Sequence, residues 1–233
     1  MVFLMPLTVT AQTQPVISAP SDEDIAQKRT EQSRPRTAIP YDPSHFDKFV
    51  GNYQHEQFLS MFFTITREGE HFYSRLTGQP KVENFPENDT KFFAKICPAQ
   101  LSFNLDTNGN VSGLVLHQNG REQLFKRVDA SVAKDAELEI QRRIDENKPD
   151  MERQTLLRRE IQADQNGVPD LEIMSPSLKS AADQQWPAIQ DTNRRLGKFL
   201  SLEFLHVDQR GWDIYHAKYE ARVRNLVRRS AYG

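Results

Sequence analysis

Apolar and polar residues alternate with a period of two through the first half of the chain. Leu59, Met61, Phe63 and Ile65 form one series and Ser60, Phe62, Thr64 and Thr66 the other, as in a strand with one face in a core. Turn residues interrupt the pattern at Arg67-Glu68-Gly69-Glu70, Thr77-Gly78-Gln79-Pro80 and Pro86-Glu87-Asn88-Asp89, and again at Asn108-Gly109 and Asn119-Gly120. Both residues of an Asn-Gly pair tolerate positive φ, so these two pairs are hairpin signals. The spacing predicts strands over 52–55, 59–66, 72–76, 81–85, 91–97, 101–105, 111–117 and 121–128, with Phe92, Ala94 and Ile96 on one face of the fifth. About eight short strands separated by regular turns predict a small up-and-down antiparallel β-barrel, in which closure removes the sheet edges. The interior of such a barrel is either filled by side chains or just wide enough for one small ligand.

The period changes after Asp129. Segments 132–144 and 152–161 are charged and amphipathic, hence helical. A third helix is expected from Ser175 or Ser177 to Arg195, kinked or split at Pro187. Segments 199–207 and 212–219 read as two strands. The fold class is therefore mainly β, then α+β. Upstream, 12–45 is polar and interrupted by Pro15, Pro20, Pro35, Pro40 and Pro43, the composition of an extended linker. The first residues are apolar, and Val9-Thr10-Ala11 has small residues where a signal peptidase needs them. The expected organisation is a signal remnant over 1–11, a linker over 12–45, a barrel domain over 46–128 and an α+β module over 130–233. The expected location is periplasmic or secreted.

Composition excludes some functions. The net charge is −2 and the pI about 6.3, so no overall basic field draws the chain to nucleic acid. No apolar run reaches the roughly 20 residues that span a bilayer. Cys97 is the one cysteine; it has no partner for an internal disulfide and reads as a small buried hydrophobe. Ser131-Val132-Ala133-Lys134 fits a Ser-x-x-Lys pattern, but no Lys-Thr-Gly accompanies it, and Ser131 reads as a helix N-cap. Asp106, Asn108 and Asn110 have the wrong glycine position for a calcium loop and read as a hairpin. The six histidines show no metal-binding spacing. Arg222, Arg224, Arg228 and Arg229 read as a solvated basic end. No catalytic residue, metal ligand or cofactor is expected.

Several pieces together carry a family resemblance: Gly51-Asn52-Tyr53, Arg67-Glu68-Gly69, Thr77-Gly78-Gln79-Pro80, Phe92-Phe93 and Leu116-His117-Gln118-Asn119-Gly120. This set resembles the lipocalin-like domain of unknown function found C-terminal to penicillin-binding-protein-like, β-lactamase-related serine hydrolases. Gly167-Val168-Pro169-Asp170, Leu196-Gly197 and Gly211-Trp212-Asp213-Ile214-Tyr215 resemble an α+β segment that trails such domains. Those segments usually run on into further strands, so the C-terminus here is expected to be truncated or altered. The resemblance implies an accessory or binding protein without hydrolytic residues of its own. Its partner would be a hydrolase domain, a peptide or a small apolar ligand. The alternative is the C-terminal fragment of a split hydrolase. Tyr53, Phe63, Phe72, Phe93 and Phe103 are the candidate ligand-binding positions.

Overall fold

Eight antiparallel strands close into a barrel in the computed structural model, which describes residues 21–173, 176–221 and 223–228. They are β1 Gly51–His55, β2 Phe62–Glu68, β3 His71–Leu76, β4 Val82–Pro86, β5 Lys91–Ala94, β6 Ala99–Leu105, β7 Val111–Gln118 and β8 Arg121–Val128. Each strand pairs with the next, and β1 closes the ring on β8 from Asn52↔Val128 to His55↔Phe125. The period of two sends Tyr53, Phe63, Ile65, Phe72, Phe92, Leu101, Phe103, Leu114, Leu116 and Phe125 into one core. One polar pair shares the interior: Asn84 Nδ2 donates to Ser74 Oγ at 2.8 Å and to the Val82 carbonyl at 2.9 Å.

A 3-10 helix, Pro43–Phe49, inserts Phe46 and Phe49 into this core. The Asp42 carboxylate caps its start by accepting from the Ser44 N–H at 2.9 Å. Its last carbonyls are satisfied by side chains. Tyr53 Oη donates to the Phe49 carbonyl at 2.6 Å, and Arg127 donates to the Lys48 and Val50 carbonyls at 2.9 and 2.7 Å. The helix is thus fastened to β1 and β8 and stoppers the barrel at the end where β1 begins.

The segment expected to be an extended linker is ordered from Ser21 onward. Helix α1, Asp22–Gln32, is opened by a capping box between Ser21 and Asp24 and packs on β7 and β8. Its Gln32 side chain is held at both ends, accepting from the Gly120 N–H at 2.6 Å and donating to the Arg121 carbonyl at 3.3 Å. From there a proline-bearing strap crosses the outside of the barrel. Arg36 pairs with Glu87 at 2.5 Å, and the Ile39 N–H donates to the Pro86 carbonyl at 3.0 Å. The predicted signal remnant lies outside the described residues.

The fifth strand is shorter than its apolar run suggests. It stops at Ala94, the chain bends through 95–98, and Ile96 is 79% exposed rather than inward. The 106–110 hairpin depends on a side chain as much as on glycine. Only Gly109 takes positive φ there, while Asp106 Oδ1 accepts from the Asn108 and Asn110 N–H groups at 2.9 and 2.8 Å.

Helices α2 Ala130–Glu146, α3 Met151–Gln165 and α4 Pro176–Leu196 follow. A three-stranded sheet of order β11-β10-β9 comes next, with β9 Phe199–Val207, β10 Asp213–Tyr219 and β11 Val223–Arg228. Three expectations change here. Asp129, not Ser131, occupies the N-cap of α2, and Ser131 lies exposed in the first turn. Helix α4 is not split at Pro187 but runs through it as one element. Of the segment read as a solvated end, residues 223–228 form β11, registered on β10 from Asp213↔Arg228 to Lys218↔Val223, while Arg222 and Arg229 lie outside the described residues. Leu157, Ile161, Leu196, Leu202, Tyr215, Ala217 and Tyr219 form this module's core.

Burial, with Glu160 adding to it, pushes the Asp164 carboxyl on α3 up from 3.8 to about 6. The folded chain therefore holds a proton there that the unfolded chain has released between about pH 4 and 6, and stability falls as pH rises through that window. Asp164→Asn removes the penalty. It is expected to raise unfolding free energy in urea by about 1 kcal/mol at neutral pH, discounted for partial solvent screening. Below about pH 4 the two forms should unfold alike.

Candidate functional site

All five candidate residues are buried, and four of them belong to the barrel's core cluster. Tyr53, Phe63, Phe72 and Phe103 are at most 5% exposed. Phe72 and Phe103 pack with Phe49 and Phe92, including Phe49–Phe103 at 4.4 Å and Phe72–Phe92 at 4.8 Å, while Tyr53 meets Phe103 at 5.7 Å and Phe63 meets Phe125 at 4.9 Å. Burial pushes the Tyr53 phenol up to about 12, so it stays protonated and serves as a donor to the plug helix. Buried rings in mutual contact occupy the aromatic interior, the arrangement of a packed barrel rather than an open one. Phe93, although only 4% exposed, lies on the other face of β5: its neighbours Phe92 and Leu101 belong to the core cluster, whereas Phe93 packs against Phe85 at 6.1 Å.

Phe93 belongs to a cleft of about 420 Å³ between the strap and the β5–β6 turn. Arg34 and Pro35 form one wall and Lys95, Ile96 and Cys97 the other. The strap wall is stiffened by Pro35 and Pro40, which fix φ, and by the Arg36–Glu87 pair. Glu87 also accepts from Gln100 Nε2, so its charge is taken up within the wall. The Lys95 ammonium sits 3.5 Å from the Phe85 ring centroid and forms no ion pair among the described residues. Arg34 makes no side-chain hydrogen bond or ion pair among them either, and is exposed. Cys97 is half-buried rather than buried, and desolvation raises its thiol pKa, so at neutral pH it is a thiol rather than a nucleophilic thiolate.

A second, smaller cleft of about 180 Å³ lies at the barrel end opposite the plug. Met61, Leu76, Gln118 and Gln123 line its barrel side, and Arg210 and Trp212 of the β9–β10 hairpin line the other. Asp208 braces that hairpin by accepting from the Arg210 and Trp212 N–H groups at 2.9 and 3.0 Å, and Arg210 stacks on Trp212 at 3.8 Å. The hairpin reaches the barrel because residue 78 is glycine. With φ +71°, a Cβ there would stand 2.5 Å from the Arg210 side chain. The volume is below the roughly 300 Å³ at which ligand pockets begin.

The remaining polar candidates are structural. His55 is 4% exposed and its Nδ1 accepts from the Gln57 and Phe58 N–H groups at 2.9 and 3.1 Å. Burial lowers its pKa, which keeps the ring neutral. His117 points outward, 2.9 Å from Ser102 Oγ. Ser131 and Lys134 lie exposed on α2, outside both clefts. Among the described residues no group of three or more His, Cys, Asp or Glu side chains could hold a metal, and no helix is long and apolar enough to cross a membrane.

The alternation in sequence pointed to the aromatics but not to the outer cleft. Arg34, Lys95 and Ile96 were missed because the strap read as linker and the turn as strand. The available signals were the Ser21-to-Asp24 capping box, which announces α1, and Pro98, which breaks the run after Cys97. No curated protein matches the chain. Residues 35–130 match a family described only as a domain of unknown function, DUF3471, a span that takes in most of the strap, the plug helix and all eight barrel strands.

Proposed function

We propose that this chain is a non-catalytic accessory protein that binds a partner on the outside of its barrel. In this reading it is secreted or periplasmic and related to the lipocalin-like accessory region of β-lactamase-related serine hydrolases. The packed aromatic core carries the reading: Phe46 and Phe49 are seated among Phe72, Phe92 and Phe103, which favours packing of the interior over binding of a substrate or an apolar ligand there. The larger concave surface instead lies between the strap and the β5–β6 turn. Its open Ile96, Pro35 and Pro98 offer apolar contact, and Arg34 and Lys95 offer charge. A hydrolase domain or a peptide fits this arrangement better than a small apolar molecule.

Incubation with chromogenic esters and β-lactams tests the absence of catalysis. The expected result is no turnover above buffer, unchanged in Ser131→Ala. Reproducible turnover abolished by Ser131→Ala would contradict the reading and favour the split-hydrolase alternative.

A further inference from the structure

We infer that the cleft between the strap and the β5–β6 turn docks an extended peptide segment that presents a carboxylate beside an apolar side chain. The inference rests on the binding role proposed above and names the chemistry of the partner. Three cationic side chains surround the cleft, and among the described residues only Arg36 has an anionic partner, Glu87 at 2.5 Å. Among the described residues Arg34 and Lys95 have no counter-charge, in a chain whose net charge is −2. A carboxylate meets an open guanidinium through paired N–H···O bonds, the strong form of a charge-assisted hydrogen bond. Beside these charges stand Pro35, Ile96 and Pro98, all exposed, with Ile96 79% accessible. An isolated exposed isoleucine would need no explanation. Here it stands on the wall of a cleft of about 420 Å³, large enough for several side chains. Glu87 and the chain's overall negative charge disfavour a polyphosphate backbone, which needs a continuous basic track. A short acidic and apolar segment needs only the two cations without described anionic partners and the apolar wall.

Cys97 lines the same cleft and is the chain's one thiol, so its alkylation reports occupancy at that place. The probes are a fluorescein-labelled peptide of alternating glutamate and leucine, and its lysine and leucine counterpart. Each is added to the full chain and followed by anisotropy and by the rate of Cys97 alkylation with iodoacetamide. The acidic peptide is expected to bind saturably, more weakly as salt rises, and to slow alkylation. Arg34→Glu combined with Lys95→Glu should weaken it by about tenfold or more. Both positions are exposed, and an unchanged circular dichroism melt confirms that the variant is folded. Equal binding of the basic peptide, no binding of either peptide, or binding that leaves Cys97 unprotected and ignores the charge reversal would each overturn the inference. The last of these leaves the binding role standing. Hydrolytic turnover in the separate substrate assay is what would remove that role.

Discussion

Phe49→Ala lowers the unfolding free energy of the barrel by about 3–5 kcal/mol, the range for deleting a buried phenyl ring from a packed core. Phe49 is fully buried, with the rings of Phe103, Phe92 and Phe72 at 4.4, 5.2 and 6.3 Å. Its carbonyl accepts the Tyr53 hydroxyl, so the main chain of the plug is anchored while the ring supplies the packing. The neighbours cannot collapse into the gap, because each is fixed on a different strand of a closed ring. Since a domain of this kind has only about 5–15 kcal/mol of total stability, the loss is a large share of it. Phe49→Leu should retain much of the burial and cost less. Ile96→Ser, on the exposed turn, should change the urea midpoint by no more than about 0.5 kcal/mol equivalent. A plug that contributed nothing would leave Phe49→Ala indistinguishable from Ile96→Ser.

Asp213→Ala should be as damaging to the second module, by about 3–5 kcal/mol, because it leaves the largely buried Arg143 with only the more distant Asp150 carboxylate, at 3.9 Å, and removes the acceptor for the Asp150 N–H and the Tyr215 hydroxyl. Asp213 is 0% exposed at the start of β10. One carboxylate oxygen pairs with Arg143 of α2. The other accepts from the Asp150 N–H at 3.1 Å and from the Tyr215 hydroxyl at 3.4 Å. Arg143 also donates to the Gly211 carbonyl at 3.0 Å. One side chain therefore ties together α2, the start of α3 and the tip of the β9–β10 hairpin that meets the barrel. Its neighbour Tyr215 is raised well above the ordinary phenol range by burial and by this carboxylate. Replacing the pair together, as Asp213→Leu with Arg143→Met, should recover much of the loss, since two apolar side chains leave no orphaned charge. Urea unfolding followed by tryptophan fluorescence reads the effect directly, because Trp212 sits next to Asp213 and is 4% exposed.

The barrel was legible because strand order, inward faces and turns all follow from a period of two broken by Gly, Asn and Pro. The same rule failed where local pattern and tertiary pairing disagree. Phe92 to Cys97 is an apolar run long enough for a strand, yet β4 offers partners only from Asn84 to Pro86, and pairing stops at Ala94. Val223–Arg228 carries too much charge to read as a strand, but β10 supplies a full register of hydrogen-bonding partners. Helix α1 has no apolar stripe, since Ile25 is almost its only large apolar residue, so periodicity could not find it and only its cap could. The outer cleft was hidden for the same reasons, being built from the two segments whose structure is set by contacts rather than by pattern. The aromatics at 53, 63, 72 and 103 were found by sequence, but alternation cannot say whether inward rings line a cavity or fill it. That depends on Phe46 and Phe49, which arrive from outside the strand pattern.

The filled interior is the point on which the functional account turns. It is tested by titrating the protein with the apolar fluorophore N-phenylnaphthylamine. The account predicts no saturable fluorescence increase for the native chain. One-to-one binding that disappears in Phe103→Trp, with the fold retained, would show an interior site and contradict it.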